Sequence, residues 1–157
     1  MTDGSAPVAV VRRILPAAPA TVYDEWLDPV GMLEWMGPRP ARPTRIDLDP
    51  RVGGELRIEV EDEGVHLTIN GRFEVLDRPH RIRFTWNCTA WRPPAADSVV
   101  TVTFEPVGGD TLMTIHHAAL PPDLLDGHTA GWTRIGHQLA AALGVRAGPT
   151  TGSAPGN

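Results

Sequence analysis

The sequence predicts an α+β fold: a curved antiparallel sheet of about six to seven strands wrapped around a long C-terminal helix, with two short helices after the first strand. Three observations predict it. From Thr44 to Ala118, apolar residues recur with period two in runs joined by short turns. Pro122 to Leu143 is the long helical pattern, with Trp132, Ile135, Leu139 and Leu143 spaced by three and four. Two proline-opened helical segments lie between the first strand and the later strands. Consecutive strands joined by short turns pair antiparallel. A sheet with one apolar face must cover it, and these three helices are the available cover.

Each element follows in chain order. Met1 to Pro7 is small and polar and is expected to be flexible. Val8 to Leu15 reads as a strand, although Arg12 and Arg13 blur which face is buried. Pro19 suits a first helical turn, and Thr21 to Leu27 follows with Val22, Tyr23 and Trp26 inward. Asp28 can cap a second helix over Val30 to Met36, with Met32, Leu33, Trp35 and Met36 as its apolar residues. Gly37 to Pro43 carries three prolines and reads as a loop. Ile46 and Leu48 then start the alternation, and Gly53-Gly54 turns it. The clearest strand sets Leu56, Ile58 and Val60 against Glu55, Arg57, Glu59 and Glu61. Val65 to Asp77 places Leu67, Ile69, Gly71, Phe73 and Val75 inward; Gly71 is expected to bend the strand or make room for a ligand. Ile82, Phe84, Trp86, Cys88 and Ala90 face in on the next strand, before a loop at Arg92-Pro93-Pro94. Val100, Val102 and Phe104 face in, Gly108-Gly109-Asp110 forms a hairpin, and Met113, Ile115 and His117 face in on the way back.

The long helix carries Gly131 and Gly136, each weakening it by roughly 1 kcal/mol relative to alanine, so its stability must come from a partner surface. Gly136 is expected to leave room beside the Trp132 indole. Gly144 is expected to end the helix. The expected organisation is one domain over residues 8–143, preceded by a flexible segment 1–7 and followed by a disordered tail 144–157.

Composition narrows the function. The 157 residues suffice for one domain with a real core. A net charge of −5 and the lack of a basic stripe argue against nucleic acid and against an anionic membrane surface. No apolar run approaches the roughly 20 residues a membrane span needs. One cysteine, Cys88, excludes an internal disulfide framework. No secretory signal is evident. The expectation is a soluble cytoplasmic protein, monomeric or weakly dimeric, with no cofactor. Five tryptophans against one tyrosine and three phenylalanines supply flat apolar area with a polar handle.

Few residues carry candidate chemistry. His116 and His117 are adjacent on a strand, point to opposite faces and cannot chelate one ion together, so no metal site is expected. His117 points inward and is the single candidate for proton transfer or for anchoring a ligand oxygen, weighed against an ordinary buried histidine. His128 lies one turn before Trp132 and is placed at a pocket mouth, while Arg134 is expected in solvent. Gly127 and Gly131 permit close approach of a ligand to backbone. Trp91 breaks the inward parity and reads as a rim residue. Nucleophile elbow, phosphate loop and dinucleotide fingerprint are all missing.

Five segments in order carry a family resemblance. VYDEWLDPVGMLEWMG (22–37), DPRVGGELRI (49–58), RFEVLDRPHRIRFTW (72–86), the hairpin from Val100 to Leu120, and HTAGW (128–132) resemble motifs of the activator of Hsp90 ATPase homologue 1-like family. That family lies within the START/Bet v 1-like, or SRPBCC, superfamily with its helix-grip fold. The resemblance covers roughly residues 8 to 143. It implies a cavity for a small hydrophobic molecule between sheet and C-terminal helix, since such proteins bind lipids, steroids or polyketides. Some members cyclise or dehydrate polyketides, and a related group sequesters reactive antibiotics. The eukaryotic co-chaperone carries a separate Hsp90-binding domain, for which this chain is too short. Combined with inward parity, the resemblance nominates Trp35, Phe73, Phe84, Trp86, Met113, Ile115, Trp132 and Ile135 as cavity walls, with His117 as polar anchor and His128 at the mouth. A cyclase or dehydratase would use His117. A ligand-free interaction module is the third reading, with a filled core and an exposed patch around Trp91.

Overall fold

The computed structural model describes residues 8–91 and 97–153. The expected flexible start, the Arg92-Pro93-Pro94 loop and the last four residues of the expected tail lie outside the described residues. The chain runs β1 (Val8–Leu15), α1 (Pro19–Glu25), α2 (Pro29–Trp35), β2 (Arg42–Leu48), β3 (Glu55–Asp62), β4 (Val65–Asp77), β5 (Arg81–Cys88), β6 (Ser98–Val107), β7 (Asp110–Ala118) and α3 (Leu125–Ser153). A 3-10 turn at Pro122–Leu124 leads into α3. The strands form one sheet in the order β1-β7-β6-β5-β4-β3-β2, every pair antiparallel. The first strand closes the sheet beside the last, and the other strands follow as a meander. This is the helix-grip arrangement the sequence predicts.

Local chemistry explains the short helices. Pro19 and Pro29 each occupy a first helical turn, where the missing N–H would be unpaired anyway. The Asp28 side chain accepts from the Val30 amide at 3.1 Å and caps α2. Val22, Tyr23, Trp26, Met32, Trp35 and Met36 are buried, as the spacing predicts; Leu33 is exposed. Trp26 packs edge-on against Trp35 with ring centroids 5.0 Å apart. On β1, Ala9, Val11 and Leu15 face the core, which resolves the ambiguity left by Arg12 and Arg13.

Three expectations change. In β4 the pairing slips between Phe73 and Val75, so Leu76 faces Ile82 and packs on the core where Val75 was expected. Gly71 makes room for a neighbouring backbone rather than a ligand: a Cβ there would lie 2.0 Å from the Thr85 carbonyl oxygen, so the glycine lets two backbones approach. Gly136 lies against Arg13 and Met113, not beside the Trp132 indole. β1, with Met113 of β7, forms the seat on which α3 crosses the sheet.

α3 also runs past Gly144 to Ser153, so the helix does not end at the glycine and its backbone is helical over most of the expected tail. Gly144 keeps a negative φ instead of the left-handed cap geometry, and the Arg146 guanidinium bonds Glu25 of α1 and Glu34 of α2. Glycine permits a helix end but does not impose one.

Candidate functional site

The sheet and α3 close tightly at one end and part at the other. Between them lies a hollow of about 450 Å³. Three segments wall it. The N-terminal half of α3 with its leading turn contributes Leu124, Gly127, His128, Gly131, Trp132 and Ile135, a stripe at spacings of three and four. The sheet contributes Ile58, Val60 and Asp62 from β3, Leu67 and Ile69 from β4, and Trp86 and Cys88 from β5, again with period two. Ala90 and Trp91 extend the β5 side, and Met36, Gly37, Pro38 and Ala41 form the third side.

That third side is pinned by α3 itself. Gln138 donates to the Trp35 carbonyl at 3.0 Å and to the Gly37 carbonyl at 2.9 Å, and it accepts from the Arg39 amide at 3.1 Å. One side chain thereby satisfies three backbone groups of a connection that has no ladder partner at those atoms. Gly131 meets Pro38 at 3.5 Å for an added Cβ, so helix and connection touch there. At Gly127 an added Cβ meets nothing within 4 Å.

The inner end of the hollow is an aromatic and imidazole cluster. Trp86 and Trp132 lie 5.1 Å apart, and His117 packs edge-on against both at 5.7 and 5.9 Å. His117 is buried and its polar atoms are fully engaged. The Trp132 indole N–H donates to His117 Nδ1 at 2.9 Å. An indole nitrogen can only donate, so Nδ1 must carry the lone pair and Nε2 the proton. Nε2–H then donates to Ser98 Oγ at 2.8 Å, and the Ser98 hydroxyl donates to the Trp86 carbonyl at 2.7 Å. The relay is complete only for neutral imidazole. Burial lowers the His117 pKa to about 3, with His128 and His116 adding to the effect.

His128 sits between that cluster and the rim, 5.3 Å from His117 and 5.9 Å edge-on from Trp91. Its Nδ1–H donates to the Leu124 carbonyl at 3.1 Å, which leaves Nε2 as an acceptor. Burial lowers its pKa as well, opposed by the bond to Leu124.

Of the residues nominated from sequence, Trp86, Trp132, Ile135 and His128 line the hollow. The other six do not. Trp35 is buried beside Trp26, with its indole N–H on Glu25 at 3.0 Å. Phe73 and Phe84 pack edge-on at 6.1 Å in solid core. Met113 and Ile115 have no exposed surface where α3 crosses β7. His117 stands one layer behind the wall, packed against the lining residues Trp86, His128 and Trp132. Parity picks the face of a strand but not the position along it, and the hollow lies towards the Asp62 and Cys88 ends. Sequence reading missed Ile58, Val60, Leu67, Ile69 and Cys88 as wall residues, although each carries the inward parity that marks them. Trp91 is at the rim, as read. Arg134 is exposed. Among the described residues no group of three or more His, Cys, Asp or Glu could hold a metal ion, and no helix is long and apolar enough to cross a membrane.

Comparison with known proteins agrees with the fold. No curated protein sequence matches the chain. Among solved structures, protein CV1439 from Chromobacterium violaceum is 28% identical, with a TM-score of 0.77 over 87% of this chain and 96% of that one. The AHSA1 protein SPO3351 from Silicibacter pomeroyi is 25% identical, with a TM-score of 0.77 over 89% of this chain and 99% of that one. NE0264 from Nitrosomonas europaea, 21% identical, shares the fold with a TM-score of 0.78 over 94% of this chain and 99% of that one. A family model described as "Activator of Hsp90 ATPase homolog 1-like protein" matches residues 16–144. With that match covering most of the domain, the chain belongs to the activator of Hsp90 ATPase homologue 1-like family.

Proposed function

We propose that the chain binds a small apolar molecule with an aromatic or flat ring system in the hollow between sheet and α3. The observation that carries the reading is the hollow itself: about 450 Å³, walled chiefly by indole and aliphatic groups. Pockets for small ligands occupy about 300–1,000 Å³ and are mostly apolar with a few polar groups. A flat natural product held for sequestration in the cytoplasm suits these walls. The hollow also favours a ligand over an interaction module with a filled core.

The hydrogen-bond geometry weighs against His117 as the base of a cyclase or dehydratase. Its acceptor lone pair is taken by Trp132 and it does not line the hollow. A proton-transfer step on a bound molecule would fall to His128, which does line it.

Thermal shift against aromatic polyketides, sterols and fatty acids tests the reading. A ligand at a hundred times its Kd stabilises by about 2.7 kcal/mol, a rise of several degrees for a domain this size. Gly127→Leu should abolish that rise while the unliganded protein melts no lower than wild type, because an added Cβ meets nothing within 4 Å and leucine favours a helix over glycine. A flat response across the whole panel contradicts the proposal.

A further inference from the structure

The walls say what the pocket is greasy with; the charged groups at its edge say more. Among the described residues, two charged side chains line the hollow, Asp62 at the end of β3 and Asp123 in the turn before α3. Both are carboxylates, and among the described residues no lysine or arginine lines the hollow with them. Asp123 is exposed and Asp62 partly so, which puts them at the mouth and not in the depths. The third polar group on the path inward is His128, whose Nδ1–H is committed to the Leu124 carbonyl, so Nε2 offers a lone pair. Trp86 does carry a donor without an acceptor, but its Nε1–H is buried away from any accessible surface. Carboxylate, carboxylate and imidazole nitrogen are all acceptors. A molecule entering here meets negative charge first, then a lone pair, then indole faces.

We infer that the ligand carries a protonated amine on its apolar body, held at the mouth by Asp62 and Asp123. The inference rests on the pocket reading above and sharpens it to one class: amphiphilic amines over neutral or acidic molecules. The indole of Trp91, which also lines the hollow, suits a cation for the same electrostatic reason as the carboxylates do. Fatty acids and other carboxylates are disfavoured, because among the described residues no lysine or arginine lines the hollow to offset the repulsion.

Three probes with one aromatic body separate the two ideas: naphthylmethylamine, naphthylmethanol and naphthoate, titrated by calorimetry at neutral pH and low salt. The amine should bind about tenfold tighter than the alcohol, as two partly exposed ion pairs allow, and naphthoate should bind weakest. In the Asp62→Asn/Asp123→Asn variant the amine's advantage should vanish while alcohol binding is unchanged. Added salt should shrink the same advantage. Equal binding of all three, or tightest binding of naphthoate, overturns the amine inference and leaves the pocket reading standing. No binding by any of the three overturns both.

Discussion

At the scale of single residues, His117 shows how an inward histidine becomes structure. The sequence made its direction legible, because strand parity is a property of the backbone. Its role was not legible, because the partner that fixes its tautomer, Trp132, arrives from a helix fifteen positions on. The relay from Trp132 through His117 and Ser98 to the Trp86 carbonyl ties α3 to β7, β6 and β5. It also makes stability depend on pH. His117 binds no proton in the folded state down to about pH 3, whereas the unfolded chain takes one up near 6.5. Its contribution is therefore complete above pH 6.5 and is lost as pH falls from there towards 3. The slope from this one group is about 1.4 kcal/mol per pH unit, and the lowered pKa of His128 acts in the same direction. His117→Leu should lose about 1–3 kcal/mol at neutral pH, since the Trp132 N–H is left buried without an acceptor. The same variant should flatten the acid limb relative to wild type. Urea melts at a series of pH values between 4 and 7 measure both effects. Parallel pH profiles for the two proteins would show that His117 is not the group responsible.

At the scale of elements, α3 is the part whose outline the sequence carried and whose ends it did not. The stripe of Trp132, Ile135, Leu139 and Leu143 is buried as the spacing requires. The helix continues through Gly144 to Arg146, whose pairs with Glu25 and Glu34 come from afar and have no local signature. The β4 bulge is similar: parity inverts between Phe73 and Val75, and nothing in the alternation of β4 alone announces it. Gln138 is the polar residue of α3 that pins the third side of the hollow. Gln138→Ala removes its bonds to the Trp35 and Gly37 carbonyls and to the Arg39 amide, at a loss of about 1–3 kcal/mol. Because the freed segment is a wall of the hollow, ligand affinity should fall with stability. Hydrogen exchange at the Arg39 amide reads the change directly. Unaltered protection there, with unaltered denaturation, would mean the connection is held by something else.

At the scale of the molecule, the fold follows from patterns that need no long-range knowledge: period two, then period 3.6, with turns and prolines between. The position of the hollow does not follow from them. It depends on where α3 crosses the sheet, seated on β1 and Met113 at one end and lifted from β3, β4 and β5 at the other. Hence Trp86 and Trp132 were legible as walls, while Trp35, Phe73 and Phe84 share their inward direction but lie in solid core. This uneven closure is what the functional account depends on, and the tryptophans distributed along it make it measurable. In a nitrogen-labelled sample each of the five indole N–H groups gives its own resonance. Titration with naphthylmethylamine should shift the signals of Trp86, Trp91 and Trp132 and leave that of Trp35, held on Glu25 outside the hollow, in place. Unmoved Trp86 and Trp132 signals at saturating probe, or a response confined to Trp35, would contradict it.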